Sequence, residues 1–268
     1  MEKALVVGAG LVGSLQAVLL AKKGHQVDVY DRRGDIRDVD FIGGRSINLA
    51  LSNRGWKALE LAGVAEEIKE ISIPMTGRKM HAVNGDITYQ AYGQEGEAIY
   101  SVPRGELNRK LILKAAEYEN VNLHFDKKCT DIDVKTGDVA FLDSKTGVEY
   151  NVNASQIYGT DGAFSAVRAR LQKTDRFNYS QEYLRHGYKE LIIPPNEDGS
   201  HKMDKNALHI WPRGEFMLIA LANMDGSFTV TLFFPFEGET SFASLDTDEK
   251  ILAFFEETFP DALAVMPT

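Results

Sequence analysis

The sequence opens with the stretch ALVVGAGLVG at residues 4–13, and SLQAVLLAKKG follows at residues 14–24. An apolar run that breaks into Gly-x-Gly-x-x-Gly and then into a second apolar segment predicts a strand, a tight turn and a helix. Gly8 permits the sharp turn, Gly10 lets the backbone approach a pyrophosphate, and Gly13 lets helix and strand pack closely. The unpaired N–H groups at the start of the helix then face the phosphates. The stretch therefore predicts a dinucleotide-binding site.

A second strand and an acidic residue follow at the spacing that such a site requires. Residues 26–30 predict the strand, and Asp31 comes directly after it. An acid about 20 residues beyond the glycines is where a ribose hydroxyl is held. Glycine turns between strand and helix are common, but the combination with Asp31 favours a dinucleotide site over a bare βαβ turn with a solvated acid.

The composition is that of an ordinary globular protein. The chain has 268 residues, of which 44% are hydrophobic and 26% are charged. A net charge of −9 argues against nucleic acid or an anionic membrane as the main partner. The one cysteine, Cys129, cannot form an internal disulfide, so we expect a cytoplasmic protein. The first strand leaves no room for a signal peptide, and no apolar run approaches the roughly 18 residues of a membrane span.

The rest of the chain predicts an α/β fold in which β structure interrupts a Rossmann-like domain. Asn84-Gly85, between extended runs at 78–83 and 87–92, indicates an inserted hairpin. The alternating pattern then resumes with a helix at 104–118, a strand at 121–125, a strand meander at 129–153 and a strand at 155–159.

Beyond residue 172 the sequence predicts a second, mainly antiparallel sheet. Its β-rich runs are 182–193, 207–212, 216–223 and 227–236. A last helix is predicted at 247–258, with Asp246 as its cap and Pro260 as its end. Its inward side chains should be Ile251, Leu252, Phe254 and Phe255.

Two further residues are candidates for ligand contact. Arg45 follows two glycines that let the backbone come close to a ligand, and a solvated loop arginine is an equally good interpretation. Asp161, followed by Gly162 at the end of a predicted strand, suits close contact with a ligand, although a simple turn would place the same residues there.

No set of side chains in the sequence suggests protein-borne catalysis. Zinc-ligand spacing and Gly-x-Ser-x-Gly are both absent from the sequence, so we expect no metal and no catalytic side chain. A bound cofactor should therefore carry the reaction. Flavin fits better than nicotinamide, because the inserted hairpin and the large second sheet can close over a resident ring.

Four stretches resemble the aromatic-ring flavin monooxygenases over essentially the whole chain. They are GLVGSLQA at 10–17, GRSINLALS at 44–52, HGY at 186–188 and LHIWPR at 208–213. The resemblance implies an FAD-binding domain at 1–72 plus 98–172. It also implies a substrate-binding β domain at 73–97 plus 173–268.

The resemblance assigns cofactor roles to individual positions. It implies that the backbone near Val12 holds the pyrophosphate, and that Asp31 with Arg32 and Arg33 holds the adenosine ribose. Ala50 and Arg104 would lie along the flavin, and the Cys129 backbone would lie beside the adenine. With the residues taken from the sequence pattern, the predicted cofactor set is Gly8, Gly10, Val12, Gly13, Asp31, Arg32, Arg33, Arg45, Ala50, Arg104, Cys129 and Asp161.

The resemblance also implies a substrate and a reaction. Arg78 and Tyr92, on the inserted hairpin, would grip the carboxylate of an amino acid, because a guanidinium forks onto a carboxylate and a phenol adds a third bond. The implied reaction is NADPH- and O₂-dependent 3-hydroxylation of L-kynurenine by a flavin C4a-hydroperoxide, a step of tryptophan catabolism. The apolar wall around the aniline ring would be Leu208, Ile219, Leu221 and Phe233.

One element of the family has no match in this sequence. The family carries a Gly-Asp turn followed by Pro-x-x-Gly-Gln-Gly-Met-Asn, which contacts the flavin. We therefore expect the sequence to be the N-terminal portion of such an enzyme, which alone binds FAD weakly, turns over poorly and exposes apolar surface. Three alternatives stay open: a monooxygenase for another aromatic acid, a non-catalytic FAD-binding fragment, and a nicotinamide dehydrogenase that uses the same glycines.

Overall fold

The computed structural model describes residues 3–38, 47–94 and 96–267 of the chain, so Arg45 lies outside the described residues. In chain order the strands are β1 (Lys3–Val7), β2 (Gln26–Tyr30), β3 (Asn48–Leu51), β4 (Ile73–Met75), β5 (Gly77–His81), β6 (Ile87–Ala91), β7 (Ile99–Pro103), β8 (Val121–His124), β9 (Lys127–Asp133), β10 (Asp138–Asp143), β11 (Glu149–Asn153), β12 (Gln156–Gly159), β13 (His186–Ile193), β14 (Ala207–Arg213), β15 (Phe216–Ala222) and β16 (Phe228–Pro235). The helices are α1 (Leu11–Lys22), α2 (Asn53–Ala62), α3 (Ala65–Lys69), α4 (Arg104–Ala116), α5 (Ala166–Leu171), α6 (Asp248–Thr258) and α7 (Pro260–Leu263), with a 3₁₀ turn at Ile36–Asp38.

The chain folds into two compact units. Among the described residues, the first unit takes 3–38, 56–67 and 105–181, and the second takes 47–55, 68–104 and 182–267. These bounds differ from the predicted domain bounds at 47–55, 68–72, 98–104 and 173–181. The assignment of a cofactor role to one region and a substrate role to the other stays a prediction.

The first unit is built on a parallel sheet in the order β12-β1-β2-β8. Its centre is β1, which is buried from Ala4 onward and pairs in parallel with β12 and β2. The predicted strand, turn and helix at the start of the chain are confirmed, and β2 covers the predicted residues 26–30. A separate antiparallel sheet, β11-β10-β9, confirms the predicted meander and stacks Phe141 on Tyr30 of β2, with 4.1 Å between ring centroids.

The second unit is dominated by a six-stranded sheet in the order β13-β16-β15-β14-β5-β6. All its pairs are antiparallel except β14 with β5, so the predicted, mainly antiparallel sheet is confirmed. The hairpin β5-β6 turns at Asn84-Gly85, where Gly85 has a φ of +88°. Such a φ suits glycine, as the sequence pattern requires.

Side chains alternate between the two faces of this sheet because the strand period is two. One face is a packed core whose largest buried members are Trp211, Leu218, Phe228, Phe234 and Phe259, the last from the loop between α6 and α7. The opposite face of the sheet carries the remaining side chains of each strand. A smaller antiparallel sheet, β3-β7-β4, belongs to the same unit and is tied to the end of β15 by the Ser101 hydroxyl, which donates to the Ala222 carbonyl at 2.8 Å.

The last helices differ from the prediction in three respects. The cap of α6 is Thr247, whose hydroxyl accepts from the Lys250 N–H at 3.3 Å, whereas Asp246 forms an ion pair with the Lys250 side chain. Ile251 and Leu252 are exposed, and only Phe255 of the predicted inward set is fully buried. Pro260 begins α7 rather than only ending α6, because proline fits the first turn of a helix.

The predicted strand at 182–193 is shorter than expected, since residues 182–185 precede β13 without strand structure. No helix among the described residues combines the length and the apolar character needed to cross a membrane.

The cap assignment predicts which substitution weakens α6. Thr247→Ala removes the hydroxyl that satisfies a free N–H of the first turn, so we expect the free energy of unfolding to fall by about 1 kcal/mol. Asp246→Ala is the matched control and should leave it nearly unchanged, because an exposed ion pair contributes little. Chemical denaturation of the wild type and the two variants measures both effects. A larger loss of unfolding free energy in the Asp246 variant would show that Asp246 is the cap, as the sequence predicted.

Candidate functional site

The glycine-rich turn is held by contacts that leave no room for side chains. Gly8 has a φ of +100°, and a Cβ atom there would lie 2.6 Å from the Thr160 carbonyl oxygen. A Cβ atom at Gly13 would lie 1.8 Å from the Gly8 carbonyl oxygen. The Thr160 hydroxyl closes the turn by donating within 2.8 and 2.9 Å of the Val7 and Gly8 carbonyl oxygens. These contacts account for the glycines at positions 8 and 13 on packing grounds alone.

Gly10 is different, because its surroundings are open. A Cβ atom at Gly10 would meet no atom of the described residues within 4 Å, and its backbone is extended with a φ of −71°. Gly10 is the N-cap of α1 and supplies no side chain to satisfy the first N–H groups of the helix, which include that of Val12. Open backbone and unsatisfied donors at a helix N-terminus are what an approaching phosphate requires.

Asp31 lies beside this turn with both carboxylate oxygens engaged. It is buried, and its Oδ2 accepts from the Ala9 N–H at 2.8 Å while its Oδ1 accepts from the Arg33 N–H at 2.8 Å. The Arg33 side chain, itself exposed, pairs with Oδ1 at 3.2 Å. Arg33 Nη2 also donates to Oδ2 at 3.4 Å, so the roughly four lone-pair positions of the carboxylate all face donors. A ribose hydroxyl would therefore bind Asp31 by displacing a contact from the exposed Arg33 side chain. Arg32 is exposed next to it.

A cavity of about 280 Å³ opens beside Asp31 in the first unit. Its lining residues are Ala9, Asp31, Arg33, Gly34, Asp35, Ile36, Asn108, Ile112 and Phe125. Asn108 was missed by the sequence analysis; its amide donates to the Ala9 carbonyl at 3.2 Å. The available signal was a polar residue between Leu107 and Leu111 on the buried side of a helix. The cavity, the open backbone at Gly10 and the buried acid together fit the adenosine and pyrophosphate parts of a dinucleotide.

Asp161 has a structural task in this unit. Its carboxylate accepts from the Ser165 hydroxyl at 2.6 Å and from the Ala166 N–H at 2.7 Å, at the start of α5. The adjacent Gly162 has a φ of +79°, as a turn requires. These contacts are those of the turn interpretation, and contact of Asp161 with a cofactor stays a prediction.

The other predicted cofactor positions are distributed over both units. Cys129 lies in β9 of the first unit, and burial raises the pKa of its thiol to about 12, so the thiol is inert at neutral pH. Ala50 on β3 and Arg104 at the start of α4 are exposed residues of the second unit. Their predicted contacts with a flavin stay predictions.

The predicted substrate residues share one face of the six-stranded sheet. Arg78 on β5 pairs with Leu208 on β14, and residues paired in this way point to the same face. Strand alternation then places Ile210 on that face, and Ile210 pairs with Ile219 of β15. Leu221 lies two residues after Ile219 and therefore points to the same face. Met217 lies two residues before Ile219, and Phe233 of β16 pairs with Met217, so Phe233 also points to this face. The sheet thus brings a basic group and apolar side chains to one surface, opposite the packed core.

Arg78 is held in a defined orientation at this surface. Its Nε donates to the Gln90 Oε1 at 2.7 Å across the β5-β6 pair. Its guanidinium carbon lies 5.9 Å from the centre of the Tyr92 ring. The two Nη groups stay available for a carboxylate. Burial raises the pKa of the Tyr92 phenol, so the phenol stays a hydrogen-bond donor.

Comparison with known proteins identifies the fold family and the relatives of the chain. Residues 1–213 match the family model described as FAD binding domain. The chain is 54% identical to a kynurenine 3-monooxygenase of Christiangramia forsetii, over 96% of this chain and 57% of that protein. It is 49% identical to the enzyme of the same name from Dictyostelium discoideum, over 98% of this chain and 56% of that protein. The chain therefore spans little more than half the length of the curated relatives it matches.

Solved structures share the fold at low sequence identity. The tetrameric form of 2-methyl-3-hydroxypyridine-5-carboxylic acid oxygenase superposes with a TM-score of 0.76 at 18% identity, covering 99% of this chain and 66% of that one. Pseudomonas aeruginosa PqsL, in complex with 2-aminobenzoylacetate, superposes with a TM-score of 0.74 at 18% identity, covering 98% of this chain and 70% of that one. The predicted α/β fold of a flavoprotein hydroxylase is confirmed.

The two glycines of the turn should respond differently to alanine. Gly10→Ala should cost about 1 kcal/mol of unfolding free energy as a poorer cap, yet lower FAD affinity at least tenfold, because its methyl group occupies the space that the pyrophosphate needs. Gly13→Ala, the comparison variant, overpacks the turn and should cost about 1–3 kcal/mol even without FAD. Thermal unfolding without ligand and a fluorescence titration with FAD separate the effects. Unchanged FAD affinity in the Gly10 variant would remove the phosphate role.

Proposed function

Because the chain belongs to the FAD binding domain family, we propose that it holds FAD and acts in the NADPH- and O₂-dependent hydroxylation of L-kynurenine to 3-hydroxykynurenine. The choice of substrate is supported by the sheet surface on which Arg78 lies beside the apolar side chains of β14, β15 and β16. Relatives of that name, about half identical over nearly the whole chain, support the same activity.

The first unit would hold the nucleotide part of FAD. The free N–H groups of α1 and the open backbone at Gly10 would receive the pyrophosphate. Asp31, fixed by the Ala9 and Arg33 N–H groups, would accept from a ribose hydroxyl beside the cavity. Ala50 and Arg104 are assigned to the flavin by resemblance. The chemistry that bound FAD supplies is the activation of O₂ with electrons from NADPH.

The second unit would bind and orient the substrate. The Nη groups of Arg78 would fork onto the amino-acid carboxylate, and the Tyr92 hydroxyl would add a third hydrogen bond. The aniline ring would lie against Leu208, Ile219, Leu221 and Phe233. These apolar side chains would exclude water from the reacting ring. The amine of the substrate activates its own ring. The protein therefore has to position that ring and needs no acid or base side chain for the reaction.

Location and partners belong to the same proposal. A cytoplasmic protein suits a chain whose one cysteine, Cys129, is buried and unpaired. The net charge of −9 favours a small-molecule substrate over nucleic acid.

The proposal is tested by the purified chain after incubation with excess FAD and removal of unbound cofactor. We expect a retained flavin spectrum and NADPH oxidation that L-kynurenine stimulates, with 3-hydroxykynurenine as the product. A retained spectrum without kynurenine-dependent oxidation would leave FAD binding as the function of this chain. A colourless protein that oxidises an alcohol with nicotinamide would favour the dehydrogenase alternative.

Arg78 gives the sharpest test of the substrate. Arg78→Ala should raise KM for L-kynurenine about 10- to 100-fold with a smaller effect on kcat, because a charged hydrogen-bonded pair contributes about 1.5–3 kcal/mol. Kynurenamine, which lacks the carboxylate, is the matched control and should show little difference between wild type and variant. Steady-state kinetics with both substrates makes the comparison. An equal loss with both compounds would assign Arg78 to the fold rather than to the carboxylate.

A further inference from the structure

A buried polar cluster joins the packed-core face of the six-stranded sheet to α7, away from the residues proposed to bind FAD or substrate. His81 of β5 and His209 of β14 are 4% and 2% exposed. Asp261 of α7, which is partly exposed, reaches His81 from the adjoining helix. The chain has six histidines, and 128 positions separate His81 from His209, so no sequence spacing links the two.

Hydrogen bonds connect the cluster in a chain. His81 Nδ1 lies 2.7 Å from Asp261 Oδ2, and His81 Nε2 lies 2.9 Å from His209 Nδ1. His209 Nε2 lies 2.9 Å from the Asp204 carbonyl oxygen. Trp211 Nε1 donates to the same Asp261 Oδ2 at 2.8 Å, and its ring stacks on His81 with centroids 4.2 Å apart.

The hydrogens in this chain can be counted. A carbonyl oxygen only accepts, so His209 Nε2 carries a hydrogen. The Asp261 carboxylate also accepts, so His81 Nδ1 carries a hydrogen. Neutral imidazole has one N–H, and both rings have now used theirs on outward partners. The contact between His81 Nε2 and His209 Nδ1 needs a third hydrogen, which two neutral rings do not have.

We propose that His81 and His209 form a proton-binding site, in which one proton shared by the two rings completes a hydrogen-bonded chain from Asp204 to Asp261. The shared positive charge balances the Asp261 carboxylate, so the cluster with its proton is neutral as a whole. When the proton leaves, two nitrogen lone pairs face each other at 2.9 Å and repel. The contact between the two rings then opens, and β5 and β14 lose one of the links between their core-facing side chains.

The charged groups around the site set when the proton is held. The Asp261 carboxylate beside His81 and the Asp204 carboxylate beside His209 favour it. Lys79, which pairs with Asp204 at 2.8 Å, and Arg213, which donates to the His81 carbonyl at 2.9 Å, oppose it. Burial lowers the pKa of both histidines, that of His209 to about 4, and the Asp261 carboxylate partly restores that of His81.

These directions place proton uptake on the acid side of the ordinary histidine pKa of about 6.5. Within that window the unfolded chain binds more protons than the folded chain. The free energy of unfolding therefore falls as the pH is lowered from neutral through the window.

The test is a histidine-selective NMR titration of the whole chain from pH 3 to 8, with the imidazole ¹⁵N shifts of His81 and His209 as the readout. We expect the two rings to titrate together in one coupled step below pH 6.5. Asp261→Asn should move that step down by at least about one pH unit on both rings, although Asp261 contacts only His81. Glu257→Gln, an exposed carboxylate on the neighbouring α6, is the control and should move neither ring.

Three results would overturn the proposal. The first is independent titration of the two rings, and the second is a pair that stays neutral throughout the range. The third is an Asp261 variant in which only His81 shifts. If Asp261→Asn does not fold, the wild-type titration still decides between shared and separate protons. His209→Gln then adds a second comparison, because His81 should lose the coupled step in that variant.

Discussion

The crossing of α1 over the end of β1 is the constraint from which the geometry of the first unit follows. A Cβ atom at Gly13 would lie 1.8 Å from the Gly8 carbonyl oxygen, so the helix approaches the turn as closely as backbone atoms allow. That approach carries the N-terminus of α1 to the edge where β1 and β2 end, and the Ala9 N–H reaches the Asp31 carboxylate there at 2.8 Å. Thr160, one residue beyond β12, closes the turn from the other side. Steric exclusion at two glycines therefore positions a helix end, an acid and a cavity together.

The parts of the fold that sequence could predict are those set by local pattern. The glycine turn, the strand at 26–30 and the Asn84-Gly85 hairpin each depend on residues within a few positions of one another, and each is confirmed. The end of the chain was predicted less well, because Asp246 and Thr247 are both good caps and only the backbone path selects Thr247. The exposure of Ile251 and Leu252 has a similar cause. The apolar face of α6 is set by where the sheet lies, which helical periodicity alone does not give.

The candidate sites also divide into those set by local sequence pattern and those set by contacts between distant residues. Arg78 and Gln90 meet because a hairpin register pairs them, and a hairpin is a local feature. Arg78 shares one surface with residues of β14, β15 and β16 because of the strand order of the sheet, which includes one parallel pair. Local sequence patterns do not give that order, so this grouping was predicted only through the family resemblance. Asn108 and the histidine cluster depend on contacts between residues 99 and 128 positions apart. No spacing rule reaches that far. The sequence could show only that Asn108 lies on the buried side of a helix, and the two isolated histidines carried no signal.

The alternation of side chains along β5 and β14 gives the same two strands two separate chemistries. Arg78 and Leu208 point to the surface proposed for substrate, while Lys79, His81 and His209 point to the core face. A strand cannot shift on one face without shifting on the other, because successive side chains share one backbone. The Arg78 guanidinium must keep its Nη groups at a fixed place to grip a carboxylate, and that place is set by the backbone of β5. The contacts that hold β5 to β14 from behind are the ion pair of Lys79 with Asp204 and, when it carries its proton, the pair of histidines, and they therefore determine how firmly the surface in front is held.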